Sequence, residues 1–329
     1  MWKYILKRLL ISIVILFFVA FLIYGLMRLV PTSYVERIAR EKSNLPGSSK
    51  SYEEWLEQLN AIYGLDLNPL MGFIKWLGSA VQGDFGDSWV YNIPCTEKFA
   101  QVIWYSFFLS VVTMILEVLI AIPLGIIAAK NQYGKIDYAV TCLALLGVSL
   151  PTFFIATILK LVFSVKLKWF DLFGAVGRYH ETLGGFDKFL DLASHYVLPV
   201  ITLVLVSVGG LMRYTRTNML EVLNADYIRT ARAKGLPEKV VINKHAFRNT
   251  LIPLVTALSS TLPGLFGGAM ITETLFQIPG IGYISYGALA SGDIPFTMFY
   301  MMFIAALTLV GFLIADIMYA VVDPRVRID

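Results

Sequence analysis

One basic segment of this sequence holds its densest group of charged side chains. Between Arg213 and Arg248 stand eight lysines and arginines, against Glu221, Asp226 and Glu238. We expect this segment to bind a partner, because a long polar insert between two apolar runs needs one. Positive charge is also typical of cytoplasmic loops, but a loop that only fixed orientation could be far shorter. Nucleic-acid binding is not expected, since topology already accounts for these charges.

This basic segment reads as two helices separated by a sharp break. We expect the Asp226 carboxylate to cap the first helix. Its far end, where the helix dipole favours cations, carries Arg229, Arg232 and Lys234. Gly235 supplies a left-handed C-terminal residue, and Leu236-Pro237 forbids continuation. A second helix beginning at Pro237 then carries four residues towards the membrane: Lys239, Lys244, His245 and Arg248.

Metal chemistry is not expected from this chain alone. Its histidines lie in different loops or at span edges and show no ligand spacing: His180, His195 and His245. Cys95 and Cys142 differ too much in depth to be obvious disulfide partners, so we expect both to be unpaired.

Composition indicates an all-α integral membrane protein. The chain is 57% hydrophobic and only 15% charged, with a mean hydropathy of +0.69. A span needs about 20 apolar residues, and six runs qualify: Leu9–Met27, Val102–Ala129, Tyr138–Val165, Tyr196–Met212, Leu251–Phe276 and Phe296–Val322. Pro151 and Pro263 interrupt the third and fifth runs, which a helix bundle tolerates. The sequence therefore predicts six transmembrane helices.

The basic residues of the short loops predict the orientation. Those at the N-terminus, at 130–135, in the 213–248 segment and at Arg325 and Arg327 all fall on one side, which we assign to the cytoplasm together with both termini. The first run is too long for a signal-peptide core and lacks a small-x-small cleavage site, so we expect it to be retained. The expected parts are an N-terminal helix (1–30), an extracytoplasmic segment (31–99), a five-helix core (100–322) with a cytoplasmic loop (213–250), and a tail (323–329).

The extracytoplasmic segment is expected to fold into short amphipathic helices. Ser51 and Glu54 have capping-box spacing before a helix that Gly64 can end. Asn68 is placed to cap a second helix that begins at Pro69 and stops at Gly83. The aromatic faces of these helices could rest on the membrane surface or a pore mouth, or could simply pack against the bundle.

The basic segment resembles the coupling motif, often called the EAA loop, of permease subunits from binding-protein-dependent ABC importers. In that motif a Glu-Ala-Ala-like triplet precedes a glycine at fixed spacing. Here Arg229-Thr230-Ala231 and then Arg232-Ala233-Lys234 precede Gly235. Arg229 and Thr230 depart from the general triplet, and His245-Ala246-Phe247-Arg248 replaces a later Ile-x-Leu-Pro element. These departures look like the version found in oligopeptide and dipeptide permeases.

Other strings, spread over the whole chain, look like the first (B-type) permease subunit of the same systems. They are Tyr63-Gly64-Leu65-Asp66, Gly83 to Ser88, Ser149 to Phe154, Ile271 to Gly282, and Asp323-Pro324-Arg325. The resemblance implies a type I importer fold in a bacterial or archaeal cell membrane. It also implies a second homologous permease, two cytoplasmic ATPases and an extracytoplasmic substrate-binding protein.

For the site residues, the resemblance implies that the first helix and the break contact an ATPase. The residues concerned are Asp226, Tyr227, Arg229, Thr230, Ala231, Arg232, Ala233, Lys234, Gly235 and Leu236. The chain has no Gly-x4-Gly-Lys-Ser/Thr string to hold ATP phosphates, so ATP and magnesium are expected on the partner ATPases and no cofactor on this chain. Peptides are the expected cargo, with nickel chelates or another small solute as the alternative.

Four charged residues within the apolar runs cost about 2.5 to 3.5 kcal/mol each at the bilayer centre. Glu117 and Asp316 are candidates for the translocation path, where either could meet a peptide amine, although Glu117 could equally pair with the partner permease. Lys160 and Glu273 are expected to pair with that partner or to reach an interface. Glu273 also joins Pro279, Gly280 and Gly282 as a candidate outer gate or docking surface for the binding protein; a simple tight turn is the alternative.

Two rival classes have less support from the residues. A secondary transporter or channel needs ion or filter chemistry inside the bundle, yet the carboxylates there are few and dispersed. A receptor or enzyme needs a sensor domain or a catalytic constellation, and neither is present in the sequence.

Overall fold

The computed structural model describes residues 2–29, 33–45, 50–62 and 66–322. These residues form helices joined by turns, and the β pairing among them is one isolated bridge between Asp87 and Pro94. The all-α prediction is therefore confirmed for the described part of the chain. The expectations that rest on Tyr63, Gly64, Leu65 and residues 323–329 lie outside it.

The described residues divide into two compact units. One unit comprises residues 103–283 and 310–322, and the other comprises the described residues within 2–102 and 284–309. The first helices in the chain are α1 (Trp2–Leu29), α2 (Ser33–Ser43), α3 (Tyr52–Ile62), α4 (Pro69–Val81), α5 (Cys95–Lys130), α6 (Lys135–Ser149) and α7 (Thr152–Leu159). The remaining ones are α8 (Gly185–Leu223), α9 (Asp226–Ala233), α10 (Glu238–Val240), α11 (Phe247–Thr261), α12 (Met270–Phe276), α13 (Ile281–Ala290) and α14 (Ile294–Val322).

Wider or tighter turns extend several of these helices. A π-helical stretch, Lys160–Lys166, continues α7, and another, Val241–Ala246, joins α10 to α11. A 3₁₀ turn, Leu262–Phe266, follows α11.

Four described helices are long and apolar enough to cross a membrane, and the number rises to six if each of two bent pairs counts as one span. The apolar windows of these four lie in α1, α5, α8 and α14. The first bent pair is α6 with α7, which meet at 98° around Leu150-Pro151. The second pair, α11 with α12, bends by 45°; its break lies at Gly267–Ala269, just after the turn that contains Pro263. The protein is thus a multi-pass membrane protein, and both predicted interruptions lie close to the breaks.

The helix α8 extends into the first third of the predicted cytoplasmic loop 213–250. The helix α8 does not end with its apolar run at Met212 but continues to Leu223. No glycine or proline interrupts the extension, and Thr215 and Met219 are fully buried, so packing sustains the helix beyond the apolar run.

The predicted caps of α3 and α4 are confirmed. The Ser51 N–H donates to Glu54 Oε2 at 2.7 Å, and the Glu54 N–H donates back to Ser51 Oγ at 3.3 Å. Asn68 Oδ1 accepts from the Leu70 N–H at 3.0 Å, and Gly83 adopts a left-handed φ of +86°. Phe73 is buried and packs edge-to-face on Tyr24 of α1. These aromatic side chains pack against a neighbouring helix, as the simpler alternative predicts.

Candidate coupling surface and polar sites of the helix bundle

The short helix α9 is held by a narrow buried face. Ile228 and Ala231, one turn apart, are 0% and 6% exposed. They belong to one cluster with buried residues from the ends of α5 and α8 and from the π-helical stretch before α11: Ala129, Met219, Val241, Ile242 and Ala246. A displacement of α9 would therefore push directly on three long helices, because close-packed side chains transmit strain.

The rest of α9 faces outward. The other residues predicted to contact an ATPase are exposed: Asp226, Tyr227, Arg229, Thr230, Arg232, Ala233, Lys234, Gly235 and Leu236. Ala231, predicted as a contact residue, instead lies in the buried seat. The outer face thus exposes three basic side chains together with Asp226, Thr230 and a few apolar residues.

The predicted break after α9 is confirmed in detail. Gly235 has φ +73°, and its N–H donates to the Arg232 carbonyl at 2.9 Å. The Leu236 N–H reaches back to the Ala231 carbonyl at 3.4 Å. This pair of hydrogen bonds is the Schellman motif, which satisfies the last free carbonyls of the helix.

The predicted cap at Asp226 is wrong by one residue. Ala225 holds the extended N-cap conformation and offers no side-chain cap, while Asp226 is the first helical residue. The chain leaves α8 through only Asn224 and Ala225, which brings Asp226 into the helix. Its carboxylate lies 3.5 Å from Arg229 Nη1. The negative charge still sits in the first turn, where the helix dipole favours it.

An ion pair spans the break between α9 and α10. Arg232 donates two hydrogen bonds to Glu238, at 2.8 and 3.2 Å. These bonds from the guanidinium lower the pKa of Glu238 and raise that of Arg232. The side chains are 43% and 55% exposed, so solvent screens the pair and its contribution to stability is about 1 kcal/mol or less.

The predicted second helix begins one residue late and is not uniformly α-helical. Pro237 is the N-cap of α10, and the chain passes through a π-helical stretch before α11. Val241 and Ile242 on this stretch are buried against α9, whereas Lys244 and Arg248 stay exposed. The second helix therefore continues from α10 through the π-helical stretch into α11.

A second ion pair nearby was not predicted. Arg216 on α8 donates to both carboxylate oxygens of Asp137 on α6, each at 2.7 Å. Asp137 also accepts from the Tyr133 N–H at 2.9 Å. Asp137 is buried, so this pair fastens α6 to α8 close to their shared end. No local pattern could identify two partners 79 residues apart in the sequence.

Glu117 is half-buried in α5 and lines a cleft of about 460 Å³. The cleft lies between α5, α8, α11 and the 3₁₀ turn that follows α11. Asp316, the other predicted pathway residue, lies on α14 and is not among the lining residues. The structure therefore does not bring the two predicted pathway carboxylates into one site.

Glu273 is fully buried at the centre of a hydrogen-bond hub. Its Oε1 accepts from the Ser106 hydroxyl at 2.7 Å and from the Ala269 N–H at 2.9 Å. Its Oε2 accepts from the Tyr283 N–H at 3.0 Å, and Ser106 Oγ accepts from the Ile281 N–H at 2.7 Å. The carboxylate is therefore satisfied within its own chain. The expectation that Glu273 pairs with a partner permease or lies at an interface stays a prediction.

The predicted gate glycines belong to this hub. A Cβ on Gly280 would lie 2.5 Å from both Glu273 Oε2 and Ser106 Oγ. A Cβ on Gly282 would lie 2.8 Å from the Met270 backbone. Both positions therefore require glycine for close approach. Pro279 precedes them in the turn between α12 and α13.

Lys160 also finds its contacts inside the chain. Its ammonium group donates to the Leu275 carbonyl and lies 4.0 Å from the centre of the Phe173 ring. Aromatic rings and a carbonyl of its own chain thus surround the cation. The expectation of a partner subunit or an interface stays a prediction for this residue too.

Two histidines that are separate in the sequence converge on Asp191. His180 Nδ1 lies 2.6 Å from Asp191 Oδ2, and His195 Nδ1 lies 2.8 Å from the Asp191 carbonyl. The described residues contain no group of three or more such side chains arranged to hold a metal ion. Cys95 is buried, Cys142 is exposed, and both are free thiols.

Comparison with known proteins gives concordant matches along the chain. Residues 121–328 match the family of binding-protein-dependent transport system inner membrane components. The oligopeptide transport system permease protein AppB of Bacillus subtilis (strain 168) is 38% identical over 328 residues, which cover 99% of this chain and 100% of that protein. A chain of Brucella suis is 35% identical over the full length of both. The dipeptide transport system permease protein DppB of Alkalihalophilus pseudofirmus is 32% identical over 340 residues, 99% of this chain and 100% of that protein.

Proposed function

The chain belongs to the family of binding-protein-dependent transport system inner membrane components, and from this premise we propose that it is a membrane subunit of an ATP-driven peptide importer. The observation that carries the proposal is the similarity to AppB, which extends over nearly the whole of both chains. The similarity to DppB supports the same class of cargo.

The proposed assembly contains a second permease, two cytoplasmic ATPases and an extracytoplasmic substrate-binding protein. Within it this chain forms six spans in a bacterial or archaeal cell membrane, with both termini in the cytoplasm. Hydrolysis of ATP, with its magnesium ion, takes place on the ATPases. The two apolar helix pairs bent at their breaks support the count of six.

Coupling to the ATPases runs through α9, which docks in a groove of one ATPase. The exposed polar face of this helix and its seat of Ile228 and Ala231 support this role. Closure of the ATPases on ATP moves α9, and the seat passes that movement to the ends of α5, α8 and α11. Reversing a 1:99 equilibrium between two transporter states requires about 5.5 kcal/mol, which nucleotide binding at two sites can supply.

The Glu273 hub acts in this proposal as part of the outer gate. It holds Ser106 of α5 to both ends of the turn between α12 and α13. A fully hydrogen-bonded buried hub can keep such a turn closed until the helices move.

The proposal is tested by purifying the complex through a tag on this chain. We expect the ATPases and the second permease to copurify. In proteoliposomes, the complex and its binding protein should take up a radiolabelled oligopeptide only with ATP and magnesium. Simultaneous Arg229→Glu and Arg232→Glu should reduce ATPase copurification. Peptide uptake by this chain alone without ATP would overturn the proposal.

A further inference from the structure

The cleft beside Glu117 is built from matching stripes on two helices. Ser110, Thr113, Met114 and Glu117 lie one turn apart on α5 and share its cleft-facing side. On α8 the lining residues recur at the same helical spacing: Leu203, Val206, Ser207, Gly210, Leu211 and Tyr214. The cleft therefore runs along the facing sides of two helices and is not a gap left at a helix end.

The chemistry of the cleft is apolar with one acidic group. Among the described residues that line it, Glu117 is the only charged one. Glu117 lies thirteen residues before the end of α5 at Lys130, which is about 20 Å along the helix axis. A carboxylate at such a depth is costly unless it meets water, a hydrogen-bond donor or a cation.

Glu117 has little compensation within the chain. Ser207 of α8 also lines the cleft, but its hydroxyl donates to the Val204 carbonyl at 3.4 Å. No basic side chain lines the cleft among the described residues. The contrast with Glu273 is direct, because Glu273 is enclosed by donors of its own backbone whereas Glu117 borders open volume. A half-buried carboxylate beside open volume, with no basic side chain near it, is a candidate to bind a cationic ligand.

We propose that this cleft is a subsite for the cationic α-amino end of the peptide in transit. The inference rests on the proposed function and adds the part of the cargo that this chain recognises. The ammonium group bonds to the Glu117 carboxylate, and the first apolar side chain packs on Met114, Leu203 and Val206. The volume of about 460 Å³ falls within the range of small-ligand pockets, roughly 300–1,000 Å³, and holds the end of a peptide rather than a whole one.

A thiol reporter can measure occupancy of this cleft directly. Gly210 lines the cleft and is exposed, and a Cβ added there meets no atom within 4 Å. Gly210→Cys therefore introduces a thiol at the subsite without a clash. Cys142 is exposed and is first changed to serine, whereas Cys95 is buried and can remain.

The experiment uses the assembled permease–ATPase complex without its binding protein, so that selection comes only from the membrane subunits. The labelling rate of Gly210→Cys with a water-soluble methanethiosulfonate reagent is measured against trileucine amide and N-acetyl-trileucine amide. We expect the free amine to protect the thiol at an about tenfold lower concentration, as a hydrogen bond to a charged group implies. Glu117→Gln should reduce that ratio to less than about twofold, while Glu117→Asp should preserve a preference for the free amine.

The matched control is Glu97→Gln, which removes an exposed carboxylate at the other end of the same helix and should leave the ratio unchanged. Equal protection by the two peptides, no protection by either, or a preference that survives Glu117→Gln would each overturn the subsite. Failure of the subsite and of the importer assignment are distinguishable. Intact ATP-driven peptide uptake without amine preference removes only the subsite, whereas amine-selective protection without any ATP-driven uptake removes only the importer.

Discussion

Arg216 on α8 donates two hydrogen bonds of 2.7 Å to the carboxylate of Asp137 on α6. The carboxylate is almost fully buried, while the guanidinium is 23% exposed. Arg216 lies on the extension of α8 that leads to α9. The pair therefore holds this extension against α6. The geometry is bidentate, which is the strongest arrangement between these two groups.

Removing the arginine of this pair should destabilise the protein measurably. We expect Arg216→Ala to lower the free energy of unfolding by about 2 kcal/mol, because it leaves the Asp137 carboxylate buried without its charged donor. Arg216→Lys keeps the charge but loses the fork, so it should recover only part of this loss. The thermal unfolding midpoints of the three purified complexes test the order. Equal midpoints for Arg216→Ala and the unaltered protein would contradict the assigned role.

Gly235 should matter for coupling beyond its effect on stability. A side chain at φ +73° costs about 1 kcal/mol, although an added Cβ at this position meets no atom within 4 Å. Gly235→Val should therefore re-aim α9 relative to α10 and increase the ATP hydrolysed per peptide imported.

A matched control for Gly235 exists at the end of α4. Gly83 has φ +86° and equally free space around its Cβ position, and the Asp84 N–H reaches back to the Ser79 carbonyl. Gly83→Val should cause a similar loss of stability with an unchanged ratio of ATP to peptide. If both variants changed the ratio of ATP to peptide alike, the result would contradict a coupling role for the break after α9.

Gly280→Ala should open the Glu273 hub. Its Cβ would lie 2.5 Å from the Glu273 carboxylate and from the Ser106 hydroxyl, so the turn must shift at a cost of about 2 kcal/mol. The control is Gly287→Ala on α13, whose Cβ would find its nearest neighbour at 3.8 Å. Thermal unfolding of both variants gives the comparison, and a similar midpoint for the two would argue against a tightly closed hub.

The Arg232–Glu238 pair should contribute little, and its contribution should depend on pH. Arg232 lowers the pKa of Glu238 in the folded chain. Stability from the pair is therefore present above the unfolded glutamate pKa of about 4.3 and is lost as pH falls through the lowered folded value. A double-mutant cycle of Arg232→Ala and Glu238→Ala at pH 7 should give a coupling of about 1 kcal/mol or less. A larger coupling energy, or one that persists after Glu238 is protonated, would contradict the prediction of a weak ion pair that depends on pH.

Several elements were predictable from the sequence because their causes are local. The capping box of Ser51 and Glu54 and the left-handed Gly235 depend on groups a few residues apart, which spacing alone identifies. The error at Asp226 has a cause that is not local. The buried extension of α8 ends at Leu223, so only Asn224 and Ala225 separate α8 from α9, and Asp226 becomes the first helical residue.

The amino-acid sequence is enough to predict the membrane class, the apolar runs, the breaks near Pro151 and Pro263, and the family, because long apolar runs and ordered motifs can be recognised without a fold. The surroundings of the buried charges, in contrast, depend on tertiary packing. Glu273 and Ser106 are 167 residues apart and Asp137 and Arg216 are 79 apart, so no local pattern marks them as partners. Packing enclosed Glu273 in donors and left Glu117 beside an open cleft. Two glutamates of similar appearance in the sequence thus differ in their surroundings, on which the cost of a charge in the membrane depends.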